Sequence, residues 1–266
     1  MSREKKTRAG GRRSRMATVA LIGIGLLLTG GVYAGASAAM AATPSSTAAT
    51  ELTVDDGKKL FQANCATCHG MNLEGTEAGP GLIGTGELAV EFQMATGRMP
   101  MQSQSPQAPQ KAPQFTDEQI AAVAAWIQQE GGGATFPDER ILDGGGDVAA
   151  GAELFRINCA MCHNVAGAGG ALTEGKYAPS VMNTSALHLY AAMVTGPQNM
   201  PVFNDMTLTE DEKRDLISAV LYMQNEPSPG GMTLGSLGPV SEGLFVWIFG
   251  IGALVALTVW ITAKSN

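Results

Sequence analysis

Hydrophobic residues form two long runs near the two ends of the chain. The C-terminal run covers residues 243–263 and includes the uncharged stretch LFVWIFGIGALVALTVWITA. About 20 apolar residues in a helix are enough to cross a bilayer core. Trp247 and Trp260 lie toward the two ends of this run, as aromatic residues at membrane interfaces do. The pattern predicts a C-terminal transmembrane helix, followed by Lys264 on the cytoplasmic side.

The N-terminal run covers residues 16–42 and follows a basic flank at 1–15, which contains seven Lys or Arg and one Glu. Such a flank stays in the cytoplasm. Ala36-Ser37-Ala38 has the small residues of a signal cleavage site, but the run is also long enough to remain as an anchor. A cleaved signal segment and a retained transmembrane helix both stay open. Either one places residues 43–240 outside the cytoplasm.

Between the two runs, the hydrophobic spacing predicts two amphipathic helices. FTDEQIAAVAAWIQQE at 115–130 and LTEDEKRDLISAVLYMQNE at 208–226 both have apolar residues on one face of a 3.6-residue period. Each begins with a capping box, Thr116 with Gln119 and Thr209 with Glu212.

The segments that precede these helices are copies of one another. GKKLFQANCATCH at 57–69 aligns with GAELFRINCAMCH at 151–163, with identical Gly, Leu, Phe, Asn, Cys, Ala, Cys and His. We therefore predict an all-α protein with a duplicated domain. The first repeat covers residues 50–131 and the second covers 148–228, with a Gly-rich linker at 132–147 and another linker at 229–242. A Pro/Gln-rich segment at 102–114 is interpreted as connective, with a contact to a partner as the alternative. Phe136 and Ile141 are candidates to fix the first linker.

All four cysteines of the chain lie in two Cys-x-x-Cys-His motifs: Cys65, Cys68 and His69, then Cys159, Cys162 and His163. This spacing is the attachment signature of c-type haem, in which two thiols bond to the haem vinyl groups and the histidine binds iron. A shared zinc site is disfavoured because the motifs are 94 residues apart and each has its own histidine. A thioredoxin-like dithiol would need a βαβ surround that the pattern lacks. Two covalently attached haem c groups are the prediction.

Methionine is the predicted sixth ligand of both irons. Only three histidines exist, and His188 is interpreted as a structural or surface residue. Thr-Gly followed closely by Met-Pro occurs once in each repeat, which selects Met99 and Met200. Met101 is the reserve for the first site, and Met193 and Met206 are weaker reserves for the second. A thioether ligand raises the reduction potential of haem iron.

A proline also lies between histidine and methionine in each repeat, Pro80 and Pro179. Its carbonyl is a candidate acceptor for the proximal imidazole, which would fix the ring orientation. A simple turn at each proline is the alternative.

The net negative charge of the segment between the two apolar runs argues against nucleic acid as a partner. Residues 43–241 contain 22 Asp or Glu and nine Lys or Arg, a net charge of −13. An acidic surface of this kind does not favour nucleic acid.

The layout resembles the dihaem cytochrome c subunit of the actinobacterial cytochrome bcc complex. The resemblance rests on the two Cys-x-x-Cys-His motifs, the two Met-Pro segments, the tandem order and the C-terminal apolar run. It implies two class I cytochrome c domains in a menaquinol-oxidising membrane complex, beside a cytochrome b subunit and a Rieske iron–sulfur subunit. It also implies electron delivery through the two haems to a cytochrome aa3 oxidase in a supercomplex.

Two other classes remain open at this point. One is a membrane-anchored dihaem subunit of another dehydrogenase or oxidase. The other is a catalytic dihaem enzyme, such as a peroxidase, which needs an open or weakly held iron. Two methionine candidates argue against the catalytic class, and the fold alone does not separate these functions.

Overall fold

The computed structural model describes residues 15–41, 52–103, 105–225, 234 and 239–264. The chain divides into two compact units, residues 1–51 and 52–266. In the first unit, helix α1 (Arg15–Ala41) contains an apolar window at Ala17–Ala34 with a mean hydropathy of 1.9. It is long and apolar enough to cross a membrane, and it matches the predicted N-terminal segment. The basic flank at 1–14 lies outside the described residues.

The first repeat is built from four helices: α2 (Val54–Asn64), α3 (Ala66–His69), α4 (Gly86–Ala95) and α5 (Asp117–Gly131). Helix α2 packs across α5, and the Phe61 and Trp126 rings lie 4.8 Å apart between them. The helices are close at Gly57, where an added Cβ would lie 2.0 Å from the carbonyl oxygen of Ala122. The sequence at this crossing therefore requires a residue without a side chain.

The second repeat follows the same plan with α7 (Val148–Asn158), α8 (Ala160–His163), α9 (Ala186–Thr195) and α10 (Glu210–Asn225). Helix α7 crosses α10 at Gly151, where an added Cβ would lie 1.9 Å from the carbonyl oxygen of Asp215. A two-residue antiparallel pair, β1 (Gly170–Ala171) and β2 (Tyr177–Ala178), lies between α8 and α9. The all-α prediction did not include this pair.

Both predicted capping boxes are confirmed. In α5, Thr116 and Gln119 exchange hydrogen bonds between side chain and backbone at 3.0 and 3.3 Å. At the start of α10, Thr209 and Glu212 do the same at 2.7 and 3.3 Å. These bonds satisfy amides at the helix starts that have no partner within the helix.

The two repeats are packed against each other through α4 and α9. Leu88 and Phe92 of α4 are 0 % and 4 % exposed, and they belong to the hydrophobic core of the second repeat. His188 of α9 lies 3.1 Å from the carboxylate of Glu91 and contacts the Phe92 ring edge-on. His188 is thus a structural residue, as expected, and it contributes to the contact between repeats.

The linker at 132–147 is attached to the second repeat rather than merely connective. It contains a short helix, α6 (Glu139–Leu142), in which Ile141 is 1 % exposed, as expected. Asp143 forms an ion pair with Arg214 of α10 at 2.8 Å. Phe136 is 45 % exposed, so the expectation that it fixes the linker is wrong.

The Pro/Gln-rich segment at 102–114 also has a structural role that its composition does not reveal. The Gln107 side chain donates to the Tyr177 carbonyl at 2.8 Å and accepts from the Tyr177 amide at 2.9 Å. The Ala108 amide donates to the Gln198 side chain, and Ala108 is 2 % exposed. A segment of the first repeat is therefore docked on the second, and the connective interpretation is corrected.

The C-terminal run forms a continuous helical segment of α11 (Pro239–Phe245), a π-helical turn (Val246–Ile251) and α12 (Gly252–Lys264). The candidate span covers Val240–Lys264 with a mean hydropathy of 2.4 and no residue buried against the rest of the protein. Exposed apolar side chains on all sides are typical of a helix that contacts lipid. The finding agrees with the predicted C-terminal transmembrane helix.

Two candidate haem sites

Each Cys-x-x-Cys-His motif forms one turn of helix directly after a longer helix. In the first repeat, the Cys65 carbonyl accepts hydrogen bonds from the amides of Cys68 and His69 at 3.1 and 3.0 Å. In the second, the Cys159 carbonyl accepts from Cys162 and His163 at 3.1 and 2.9 Å. The turn fixes the two thiols and the imidazole of each motif relative to one another.

The proximal histidines are oriented by the predicted proline carbonyls. His69 Nδ1 lies 2.7 Å from the Pro80 carbonyl oxygen, and His163 Nδ1 lies 2.8 Å from the Pro179 oxygen. A carbonyl only accepts, so Nδ1 carries a proton, and in the neutral ring the lone pair is then on Nε2. Each imidazole is therefore in the tautomer that binds a metal through Nε2, with its second nitrogen held by the backbone.

The residues of the second site surround a cavity of about 880 Å³. Cys159, Cys162, His163 and Met200 all line it, together with apolar side chains from α7, α9 and α10. Cofactor pockets in proteins typically measure about 300–1,000 Å³ and are mostly apolar. The cavity therefore has the size, the lining and the donor set for a haem.

At the first site, Cys65 and Met99 pack against the same hydrophobic cluster, which contains Phe61, Val123 and Ile127. The amide of Met99 donates to the Gln93 carbonyl at 2.9 Å, which holds the methionine against the end of α4. The reserve residue Met101 is half-buried and is not part of this cluster. The structure thus brings Met99, rather than Met101, to the core that contains the motif.

The reserve methionines of the second site differ from one another. Met206 is 97 % exposed and does not line the cavity. Met193 is 2 % exposed and does line it, as Met200 does. Both methionines are therefore near the second motif, and the Thr-Gly and Met-Pro pattern favours Met200.

One cysteine of each motif is largely buried, and the other is more exposed. All four cysteines are free, and burial is the main cause that raises the pKa of Cys65 and of Cys159 to about 11. Among the described residues, no three His, Cys, Asp or Glu side chains form a group that could hold a metal ion. The zinc alternative therefore gains no support from the described residues.

Part of the second cavity was not predicted from the sequence. Arg98, Gln107 and Gln110 belong to the first repeat, yet they line the cavity of the second. Arg98 is 8 % exposed, and desolvation lowers the pKa of its guanidinium, partly offset by Tyr177. The one sequence signal was the position of Arg98 beside Met99 in the Met-Pro segment.

Family models match both repeats. Residues 54–130 match the model described as cytochrome c, and residues 146–218 match the model described as cytochrome c oxidase, cbb3-type, subunit III. The two mainly helical repeats are thus two cytochrome c domains, which supports haem c as the cofactor of this chain.

Relatives cover nearly the whole chain. A Corynebacterium efficiens protein is 45 % identical over 93 % of this chain and 87 % of its own length. A Mycobacterium tuberculosis protein is 42 % identical over 97 % and 98 %, and one from Corynebacterium diphtheriae is 40 % identical over both full lengths. All three carry the name cytochrome bc1 complex cytochrome c subunit. Identity at this level, across both repeats and both terminal helices, means that the chain belongs to the family of cytochrome bc1 complex cytochrome c subunits.

Proposed function

We propose that this chain holds two covalently attached haem c groups. Cys65, Cys68, His69 and Met99 would hold the first, and Cys159, Cys162, His163 and Met200 would hold the second. The histidine and methionine of each set would be the iron ligands. The support is the geometry that both repeats share: each motif turn ends in a histidine whose Nδ1 faces a proline carbonyl.

A bound haem c would supply a one-electron redox centre in each repeat. The residues of the chain determine how that centre behaves. The proline carbonyls keep the imidazoles in one tautomer, and the methionine sulfur favours the reduced metal. Buried apolar side chains of α5 and α10 belong to the hydrophobic clusters that contain or contact Cys65 and Cys159. The chain itself then carries electrons and has no catalytic residue.

We further propose that the chain is the electron-transfer subunit of a menaquinol–cytochrome c reductase of the translocase class. It would lie beside a cytochrome b subunit and take electrons from a Rieske iron–sulfur subunit. It would pass them to a cytochrome aa3 oxidase within a supercomplex. The names and the full-length identity of the relatives support membership of a bc1 complex, and the resemblance of the motif order supports the named partners.

The two apolar terminal helices support attachment to the cell membrane. The basic N-terminal flank and Lys264 would stay in the cytoplasm, which places the two cytochrome domains on the extracytoplasmic side. The alternative function, a membrane-anchored dihaem subunit of another dehydrogenase or oxidase, fits the same helices and motifs. The identity to bc1 subunits favours the first assignment.

A mild-detergent purification through a C-terminal tag tests this assignment. We expect haems b, c and a to co-purify and the preparation to consume oxygen with menaquinol, in a manner blocked by quinol-site inhibitors. A chain truncated before Pro239 is the matched control, because it keeps both cytochrome domains and lacks the C-terminal helix. Recovery of haem c alone from the full-length chain would contradict the complex while leaving the dihaem assignment intact.

A further inference from the structure

Arg98 is a buried cation that faces the site of the other repeat. It follows α4 of the first repeat, is 8 % exposed, and lines the cavity that contains Cys159, Cys162 and His163. Its guanidinium carbon lies 4.9 Å from the centre of the Phe92 ring. The ring supports a cation on one side and leaves its hydrogen-bond donors to other partners.

Arg98 has no anionic partner among the described residues of the cytochrome domains. Across residues 52–103 and 105–225, no carboxylate oxygen lies within 4.0 Å of its guanidinium. Burying an unpaired charge is costly, so a buried arginine is normally paired or hydrogen-bonded. The guanidinium of Arg98 has five N–H donors, and it can offer them to an anion in this cavity.

The charged residues that line the cavity also favour an anionic occupant. Its lining includes no Asp or Glu among the described residues, although residues 43–241 have a net charge of −13. Its cations are Arg98 and Lys176, and Lys176 is already paired with Glu174 at 3.3 Å. Arg98 is therefore the one buried cation, within the described lining, that remains available to an anionic occupant.

Haem itself is such an occupant, because its two propionate groups are carboxylates. We propose that Arg98 of the first repeat binds a propionate of the haem held by the second repeat. The planar guanidinium suits a carboxylate because two parallel N–H donors match its two oxygens. This inference rests on the proposed second haem site.

The Pro/Gln-rich segment holds Arg98 in this position. The Lys111 amide donates to the Thr96 carbonyl at 3.2 Å, and the Lys111 ammonium donates to the Pro100 carbonyl at 3.2 Å. Gln107 then joins the segment to Tyr177 by two hydrogen bonds. Arg98 would thus bind the second haem, and the next residue, Met99, would bind the first.

A cation beside the second haem would raise its reduction potential, because it disfavours the additional positive charge of ferric iron. We expect Arg98→Gln to lower the equilibrium constant for reduction of the second haem by about tenfold. For a one-electron couple, this is a fall of about 59 mV in reduction potential. Arg98→Lys keeps the charge, so its shift should be less than about threefold by the same relation. The matched control is Arg156→Gln, which removes an exposed arginine three residues before Cys159.

The measurement is a spectroelectrochemical titration of the full-length chain in its detergent-solubilised complex, with haem c content determined for each variant. The step of the second haem is identified as the one that moves in Met200→His. The proposal is overturned if Arg98→Gln shifts the potential of the second haem no more than Arg156→Gln does, or if it shifts mainly the potential of the first haem. It is also overturned if the second-haem potential is as low in Arg98→Lys as in Arg98→Gln. Loss of the second haem from the unmodified chain would instead refute the proposed function.

A measurement on the unmodified sequence covers the case in which Arg98→Gln fails to accumulate. Protein labelled with 15N in arginine alone should show a guanidinium resonance shifted by the paramagnetic ferric haem, and Arg98→Lys should lack it. Absence of that resonance from the unmodified protein would overturn the assignment of Arg98.

Discussion

At the scale of single residues, the two sites are defined by what holds each ligand. The backbone carbonyls of Pro80 and Pro179 fix the protonated nitrogen of each proximal imidazole at 2.7 and 2.8 Å. The proposed distal ligands, Met99 and Met200, are thioethers, whose sulfur is at most a weak hydrogen-bond acceptor. Substitution of the methionines is therefore the most direct test of the ligand sets.

Met200→His should lower the potential of the second haem by on the order of a hundred millivolts, within the range of about 0.8 V that axial ligands cover. A nitrogen ligand stabilises ferric iron more than a thioether does. Redox titration followed by visible absorption measures the change. Met206→His is the control, because Met206 is 97 % exposed and lies outside the cavity. Equal potentials in the two variants would rule out Met200 and favour Met193.

At the scale of secondary-structure elements, each domain depends on one close crossing of its first and last helices. Gly57 touches the backbone of α5 at Ala122, and Gly151 touches the backbone of α10 at Asp215. Because the same position of the duplicated motif is involved, the crossing and the cysteines have a fixed relation in both repeats. The helix that carries the motif is thereby positioned against the rest of the domain.

Gly151→Ala should destabilise the second domain by about 3 kcal/mol, the upper end for overpacked sites, because backbone cannot yield as a flexible side chain can. For a domain of about 80 residues, that corresponds to a fall of roughly 12–24 °C in unfolding temperature. Circular dichroism in the haem absorption region during heating measures it. Glu153→Ala, an exposed change on the same helix, should leave the temperature unchanged. Similar values for the two variants would contradict the crossing.

The attachment of the linker to α10 should depend on pH. The hydrogen bond from Arg214 is the main cause that lowers the pKa of Asp143 below its usual value of 3.8. Between the pKa of Asp143 in the folded protein and its higher pKa in the unfolded chain, the unfolded chain binds more protons. The stability that Asp143 contributes is therefore complete above about pH 4 to 5 and is lost as the pH falls through the lowered pKa.

Asp143→Asn removes that contribution at all pH values. The difference in unfolding temperature between the parent protein and the variant should be constant from pH 7 to 5 and should shrink below pH 4. Asp138→Asn, on the same linker, is the comparison, since Asp138 has no ion pair to Arg214 among the described contacts. A difference that grows in acid would contradict the assigned sign.

The sequence predicted those parts of the site that depend on local spacing. The two capping boxes were predicted directly, and the proline carbonyls were one of two alternatives; both involve residues within about 16 positions of one another. It did not predict the docking of residues 102–114 or the role of Arg98. Those contacts join residues about 70 to 90 positions apart, such as Gln107 with Tyr177 and Ala108 with Gln198, and no hydrophobic period marks them.

At the scale of the whole molecule, the two cytochrome domains form one packed unit. Leu88 and Phe92 of the first domain lie in the core of the second, and the linker between the domains is held by α10. The first and second sites therefore keep a fixed separation, which suits two redox centres that act in series. An independent pair of domains joined by a flexible linker would not maintain that separation.

Leu88→Ala should weaken this docking, because Leu88 is fully buried in the core of the second domain. Loss of a buried leucine typically costs about 2–5 kcal/mol, and here the cost falls on the contact between domains. Both haems should remain bound, while the linker at 132–147 becomes more accessible as the domains separate. Limited proteolysis measures that accessibility, and we expect cleavage in the linker to accelerate at least tenfold, the factor that about 1.4 kcal/mol gives.

Ile83→Ala, at a position that is 63 % exposed in the same domain, should leave the rate unchanged. Equal cleavage rates in the two variants would mean that the domains stay together without Leu88, and the fixed separation would then have to come from the linker and the Pro/Gln-rich segment.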